Sequence, residues 1–331
     1  MKLTFEQIKD VTVGASSVVF EDGFYKFYRF TDKEAAVIER PFLTEAPAGV
    51  VLKFRTDGSV LKLKVYVHTL DDNSATYFAF DVFADDKFVG AIQNMADEAI
   101  TGDYGREKYP LGKFEGEFKL GEGEKTVRIL LPHSLVAYIE EIELADATCI
   151  IPVKSKKVLA AYGDSITQGF HAVHPSKSYA ARLADALDAD IRNKAYGGAS
   201  FCPDLLEITE VIDADFVTVA YGTNDWYAYE QETIKKNAQA FSKKIQELYP
   251  DTPIYVITPT WRSDWEMEKK GGLFPEIENL IVEAFKDGKN ITIVPGRDLI
   301  PHDTNLFGDL WLHPAEDGFE HYFNNLFKYF K

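Results

Sequence analysis

Cysteine is scarce in this chain. Only Cys149 and Cys202 carry thiols, far apart and without metal-ligand spacing, so no disulfide framework is implied. Basic residues are outnumbered, 36 Lys and Arg against 53 Asp and Glu, and the net charge is −17. That balance argues against nucleic acid and against an anionic membrane, both of which need basic patches. The acidity reads most simply as solubility. Long apolar runs are also missing, and no segment approaches a membrane-spanning length. The opening residues, Met1-Lys2-Leu3-Thr4-Phe5-Glu6-Gln7, hold no long apolar core. No secretory signal is therefore expected, and a cytoplasmic protein is the default for a chain not trimmed of a leader. Internal repeats and low-complexity segments are absent as well.

What is present is a globular composition. Hydrophobic residues make up 46% of 331 positions, ample for buried cores and more than one average domain needs. Two domains are expected, 1–152 and 153–331. The first half reads as strands. Val50 to Arg55 and Leu61 to Val67 alternate apolar and polar residues at period two. Between them lies Thr56-Asp57-Gly58-Ser59, an Asp-Gly turn of the kind that joins hairpin strands. Tyr77 to Phe83, Phe88 to Ile92, Phe114 to Leu120 and Thr126 to Leu131 continue the pattern, with Gly, Asp and Asn clustered between them. Many short strands with such turns predict an antiparallel β-sandwich, jelly-roll-like.

Beyond about residue 155 the rhythm changes. Strand-like runs at 157–162, 216–221, 253–258 and 291–294 alternate with helical stretches at 178–187, 230–249 and 276–286, and a closing helix is expected from Asp317 to Phe330. Such alternation predicts βαβ units and a doubly wound parallel sheet, an α/β/α domain. The junction, Pro152-Val153-Lys154-Ser155-Lys156-Lys157, is short and basic, so the two halves should touch.

Four short motifs in the second half carry chemistry. The run Val158-Leu159-Ala160-Ala161 empties into Tyr162-Gly163-Asp164-Ser165-Ile166-Thr167-Gln168-Gly169. A strand followed by a turn and a helix presents one serine hydroxyl at the sheet's carboxyl edge, where α/β sheets hold their ligands. A serine is a poor nucleophile until a base takes its proton. Its own N–H, at a helix start, points where an oxyanion would form. Next comes Asn193-Lys194-Ala195-Tyr196-Gly197-Gly198-Ala199-Ser200, in which a glycine pair after a strand lets backbone approach a ligand. Then Tyr221-Gly222-Thr223-Asn224-Asp225-Trp226 places an uncharged amide donor at another strand end, unless Asn224 or Asp225 merely caps a helix. Last, Asp309-Leu310-Trp311-Leu312-His313-Pro314 precedes the terminal helix, and of seven histidines His313 is best placed to return as general base.

Together these motifs resemble the SGNH, or GDSL, hydrolase family over residues 155 to 331. The resemblance rests on Gly163-Asp164-Ser165, on Gly198 five residues after Asn193, on Gly222-Thr223-Asn224-Asp225 and on His313-Pro314, all in family order. It implies that Ser165 attacks an ester carbonyl, that Ser165 N–H, Gly198 N–H and the Asn224 side chain hold the oxyanion, and that His313 shuttles the proton. No metal or organic cofactor is implied. The Gly-x-Ser-x-Gly elbow of ordinary α/β-hydrolases is absent. One departure stands out: the family's orienting Asp usually lies three residues before the His, where this chain has Leu310. Either a local bulge brings Asp309 to the imidazole, or the site is a Ser-His dyad whose ring is oriented by a backbone carbonyl.

An amino-terminal sandwich joined to such a domain resembles two-domain carbohydrate esterases. The resemblance implies a small-molecule or oligosaccharide ester as substrate, acetylated xylo-oligosaccharides among them. Trp226, Tyr227, Trp261, Arg262, Trp265 and Trp311 stand near the motifs. Trp226, Trp261, Arg262 and Trp311 are the candidates for stacking on a sugar ring or bonding its hydroxyls; the alternative is that the rings close the core. Phe170-His171-Ala172-Val173-His174-Pro175 follows the nucleophile, and its histidines read as pocket rim rather than a metal pair, for want of a third ligand. Two other readings stay open: a lipase-like or thioesterase-like hydrolase of short acyl substrates, and a non-catalytic glycan-binding protein. The sandwich either shapes the pocket or serves self-association, as in a homo-oligomer.

Overall fold

The structure, a computed structural model, describes residues 1–72, 74–96, 105 and 107–330. Two antiparallel sheets form the first half. One runs in the order Thr12–Val13, Val51–Thr56, Lys125–Leu130, Ala79–Ala84, Lys87–Gln93, with Ile151–Pro152 also paired to Val51–Thr56. The other runs Ser17–Glu21, Phe24–Tyr28, Val136–Ala145, Val60–His68, Gly112–Lys119. Along Val60–His68 the side chains of Leu61, Leu63, Val65 and Val67 are buried while Lys62 and Lys64 face water. Those residues meet Leu52, Phe54, Val127 and Ile129 of the first sheet in one apolar core. A period-two pattern thus becomes a sandwich because each sheet has one face to bury.

One expectation is corrected here. Val51–Thr56 and Val60–His68 do not form a hairpin; they belong to opposite sheets. The Asp57 carboxylate accepts the Thr148 N–H at 2.8 Å, the Thr148 hydroxyl, and the Cys149 N–H at 3.3 Å, so the Asp-Gly segment is pinned as a corner that crosses between sheets. Two short helices, Phe5–Val11 and Asp32–Val37, each opened by a Thr capping box, also interrupt the strands.

In the second half five parallel strands run Ala189–Asn193, Lys157–Gly163, Phe216–Ala220, Ile254–Ile257, Ile291–Val294. In chain order this is 2-1-3-4-5, so the chain reverses direction across the sheet between the first and third strands. Helices Gln231–Leu248 and Phe274–Phe285 pack on one face through Phe241, Ile245, Ile277 and Ile281. Tyr179–Ala186 and Glu316–Leu326 cover the other through Leu183, Phe319 and Tyr322. The halves are bonded across their junction: Val153 N–H donates to Lys53 O at 3.1 Å, and Lys53 Nζ to Ser155 Oγ at 2.7 Å.

Candidate active site

The strand Lys157–Gly163 delivers Asp164 as the cap of a one-turn helix, Ser165–Gln168. The Asp164 carboxylate accepts the Ile166 N–H at 2.9 Å, which fixes the turn and exposes the next residue's hydroxyl at the switch between strands. Burial pushes the Asp164 carboxyl up to about 6 despite that bond. Ser165 Oγ lies 2.8 Å from His313 Nε2. On the other side of the ring, His313 Nδ1 lies 2.7 Å from Asp309 Oδ2.

The spacing of four residues between Asp309 and His313 works because Leu310 takes a left-handed conformation, φ 58°. The turn that results is knotted around one carboxylate oxygen. Asp309 Oδ1 accepts the N–H groups of Trp311 at 2.9 Å, Leu312 at 2.7 Å and His313 at 3.1 Å. Burial alone would raise this carboxyl, but the His313 hydrogen bond and charge hold it well below the usual carboxylate range. An ionised carboxylate only accepts, so His313 carries its proton on Nδ1 and offers Nε2 to the serine hydroxyl.

The strand Ala189–Asn193 ends in the glycine loop. Asn193 ties it to the nucleophile turn: its Nδ2 donates to Thr167 O at 3.0 Å and its Oδ1 accepts the Ala195 N–H at 3.0 Å. Gly198 has φ 73°, a region that favours glycine, and a Cβ there would run into Arg40 Nη2. Asn224, at the start of helix Thr223–Ala228, donates from Nδ2 to Ala199 O at 3.0 Å. That bond uses one of its two amide hydrogens. Ser165, Gly197, Gly198, Asn224 and His313 line one cavity of about 400 Å³. Its far wall comes from the sandwich half: Arg40, Leu43, Leu70, Asp71, Ser74 and Ser134.

The aromatic candidates divide. Trp311 is 39% exposed and lines the cavity, as does the exposed Tyr227. Arg262 lines it from behind, almost fully buried, with its Nε bonded to Asp264 Oδ1 at 2.5 Å and its Nη1 to Thr223 Oγ1 at 3.2 Å. Its guanidinium is sandwiched between the Trp226 and Trp311 rings, 4.9 and 4.7 Å from their centres. Trp226 and Trp261 are corrections. Trp226 is fully buried, its Nε1 donating to Gly272 O at 2.8 Å and its ring meeting Phe274 edge-on. Trp261 is buried among Phe307 and the stacked ring of His302. Of the two alternatives open for these rings, stacking on substrate or closing the core, both take the second.

The loop after the nucleophile also differs from expectation. Phe170 does border the cavity, its ring edge 4.8 Å from that of His313. His171 and His174 are buried rather than at the rim. His171, φ 73°, stacks on His313 with ring centres 5.4 Å apart, and its N–H donates to Tyr77 OH at 2.8 Å. Burial lowers its imidazole to about 3, so it stays neutral against the base. His174 Nδ1 lies 2.6 Å from Asp81 of the sandwich half. A third ligand for His171 does exist in space, since it, Asp309 and His313 hold donor atoms within 4.8 Å of one another. The two rings lie nearly parallel, and His313 and Asp309 are committed to each other at 2.7 Å. That donor set therefore fits a hydrogen-bonded relay better than a metal.

Asp225, which the sequence offers only as a helix cap, has another place. It is fully buried, its Oδ1 accepts the Phe201 N–H at 3.1 Å, and burial raises its carboxyl to about 7. It thereby fastens the far end of the glycine loop. A charged residue directly after Asn224 in a buried turn was the available signal.

Residues 161–321 match the family model described as the GDSL-like Lipase/Acylhydrolase family. No curated protein matches the sequence. Among solved structures, the chain is similar to a salicylyl-acyltransferase from a tetracycline biosynthetic pathway, at 20% identity and TM-score 0.81, over 96% of this chain and 92% of that one. It is similar to a protein from Bacteroides ovatus assigned as a GDSL-like lipase by likeness, at 21% identity and TM-score 0.77, over 98% and 95%. It is also similar to an acetyl xylan esterase from the rumen bacterium Butyrivibrio proteoclasticus, at 14% identity and TM-score 0.61, over 99% and 97%. These likenesses span both halves of the chain and establish a shared two-part fold.

Proposed function

Given a GDSL-like lipase/acylhydrolase domain at residues 161–321, we propose that this protein is a serine esterase that removes small acyl groups, acetyl foremost, from carbohydrates. The observation that carries the reading is the relay Ser165 Oγ, His313 Nε2, His313 Nδ1, Asp309 Oδ2, with links of 2.8 and 2.7 Å, opening on a cavity shared with Gly198 and Asn224. Ser165 attacks the ester carbonyl while His313 takes its proton, forming an imidazolium that Asp309 stabilises. The tetrahedral oxyanion is held by Ser165 N–H, Gly198 N–H and the second amide hydrogen of Asn224. His313 then protonates the departing sugar hydroxyl, leaving an acyl-serine. Water, deprotonated by the same imidazole, releases the acid and restores the hydroxyl.

Sugar as the alcohol is supported by the exposed ring of Trp311 backed by Arg262, and by polar groups of the sandwich half around the same cavity. The acetyl xylan esterase likeness agrees with that choice. The proposed setting is the cytoplasm, on oligosaccharides after uptake, a reading supported only by Cys149 and Cys202 being free thiols. The test compares aryl acetate, aryl octanoate and acetylated xylo-oligosaccharide with wild type and Ser165→Ala. Fastest turnover of the acetylated oligosaccharide, lost in the variant, is expected. Preference for octanoate would point to a lipase-like enzyme, and activity kept by the alanine variant would remove Ser165 as nucleophile.

A further inference from the structure

We infer that the β-sandwich half is a working part of the active site: Arg29 and Glu34 are positioning residues that set the glycine loop and, through it, the Gly198 oxyanion donor. The inference rests on the esterase reading above. Arg29 is 1% exposed and Glu34 fully buried, and both reach the second half of the chain. Arg29 Nη1 donates to the carbonyls of Asn193 at 2.7 Å and Ala195 at 2.9 Å, while its Nε donates to Ala46 O at 2.6 Å. The residue between those two carbonyls, Lys194, turns into the sandwich half. Its Nζ donates to Arg29 O at 2.8 Å and to both Glu34 oxygens at 2.9 Å. Glu34 also accepts the Thr31 N–H at 2.7 Å and the Thr209 hydroxyl.

This bracket grips Asn193, Lys194 and Ala195, the residues that lead into the loop carrying Gly198. From there Tyr196 N–H meets Gly163 O at 3.3 Å, and beyond Gly198 the loop is caught again by Asn224 on Ala199 O and Asp225 on Phe201 N–H. The loop is thus pinned at both ends, once by the sandwich half and once by the Gly222–Trp226 turn. An oxyanion donor must sit within tenths of an ångström of its place, and a peptide between two fixed ends has little freedom to drift. Stability alone is a weak reason for the bracket, because a buried ion pair is often no more stabilising than apolar side chains of the same volume. Geometry is the better reason: guanidinium and ammonium reach two main-chain segments at set angles, which alkyl groups cannot do.

The test uses the full chain with Arg29→Lys and with the paired change Glu34→Gln plus Lys194→Met, which removes both charges together and leaves neither buried alone. Each is also made in a Gly198→Ala background. On aryl acetate the bracket variants should lose about 10- to 10³-fold in kcat, up to the worth of one oxyanion donor, with KM within about twofold. Where Gly198 is already replaced, the same changes should cost less than about threefold, since that replacement, strained at φ 73°, has already shifted the N–H through which they act. Unchanged kcat per folded molecule in either variant overturns the inference, as does a full additive loss in the Gly198→Ala background. Should the paired variant fail to fold, Arg29→Lys, which keeps the charge and loses the fork, carries the same two readouts. A wild type that turns over no ester would instead sink the esterase reading, so the two failures are distinguishable.

Discussion

Replacing Asp309 by Asn probes the relay at its least expected member. The substitution keeps size and shape, and the structure decides which way the new amide faces. Asp309 Oδ1 accepts three main-chain N–H groups, from Trp311, Leu312 and His313, while Oδ2 lies 2.7 Å from His313 Nδ1. An Asn NH2 turned toward three donors would strand all of them, so the carbonyl oxygen must take the Oδ1 place. The NH2 then meets Nδ1, which has to become the acceptor, and the imidazole proton moves to Nε2. In that tautomer the nitrogen 2.8 Å from Ser165 Oγ cannot accept its proton. A comparable wrong-tautomer exchange in a serine triad costs about 10⁴ in kcat, or about 5 kcal/mol of barrier. The loop should survive because its three N–H bonds are retained. Stopped-flow or plate kinetics on aryl acetate should therefore show a loss of about 10⁴ in kcat with near-native melting. Activity within about threefold of wild type would refute the tautomer argument and leave a Ser165–His313 dyad.

Other variants test neighbouring claims. Gly198→Ala keeps the N–H but strains its backbone at φ 73° and sets a Cβ against the end of Arg40, so kcat should fall about 10- to 10²-fold with KM little changed in steady-state assays. Trp311→Ala should raise KM for acetylated xylo-oligosaccharide more than for aryl acetate, because only the sugar needs the exposed ring; equal effects would remove Trp311 from sugar binding. Asp225→Asn addresses pH. The Asp225 carboxyl is raised from 3.8 to about 7, so the native state holds a proton that the unfolded chain releases. Its contribution to stability is complete below about pH 4 and is lost as pH rises through 7. Melting temperatures from pH 4 to 8 should consequently improve for the Asn variant relative to wild type as pH rises; a constant difference would contradict the buried-proton assignment.

Much of this architecture was legible from local pattern. The parallel strands were readable because short apolar runs were bounded by turns and separated by helical periods, and residues 291–294 match to the residue. The four motifs could be placed because each follows or faces a strand end. What stayed hidden depends on partners distant in sequence. The Asp57-Gly58 turn has the chemistry of a hairpin, yet which strand pairs with which is decided by the sandwich as a whole. Trp226 and Trp261 have the same composition signal as Trp311, and only packing separates buried rings from an exposed one. The contacts of Arg29, Glu34 and Arg40 with residues 193–198 span about 160 positions, and no local period announces them.

Covalent trapping tests the central claim most directly. The enzyme is incubated with an aryl phosphonate ester, which mimics the tetrahedral intermediate, and its peptides are read by mass spectrometry. One adduct on Ser165 is expected, with activity lost in step and labelling slowed at least about 10³-fold by His313→Ala. Inactivation with the label on another residue, or equal labelling without His313, would contradict the account.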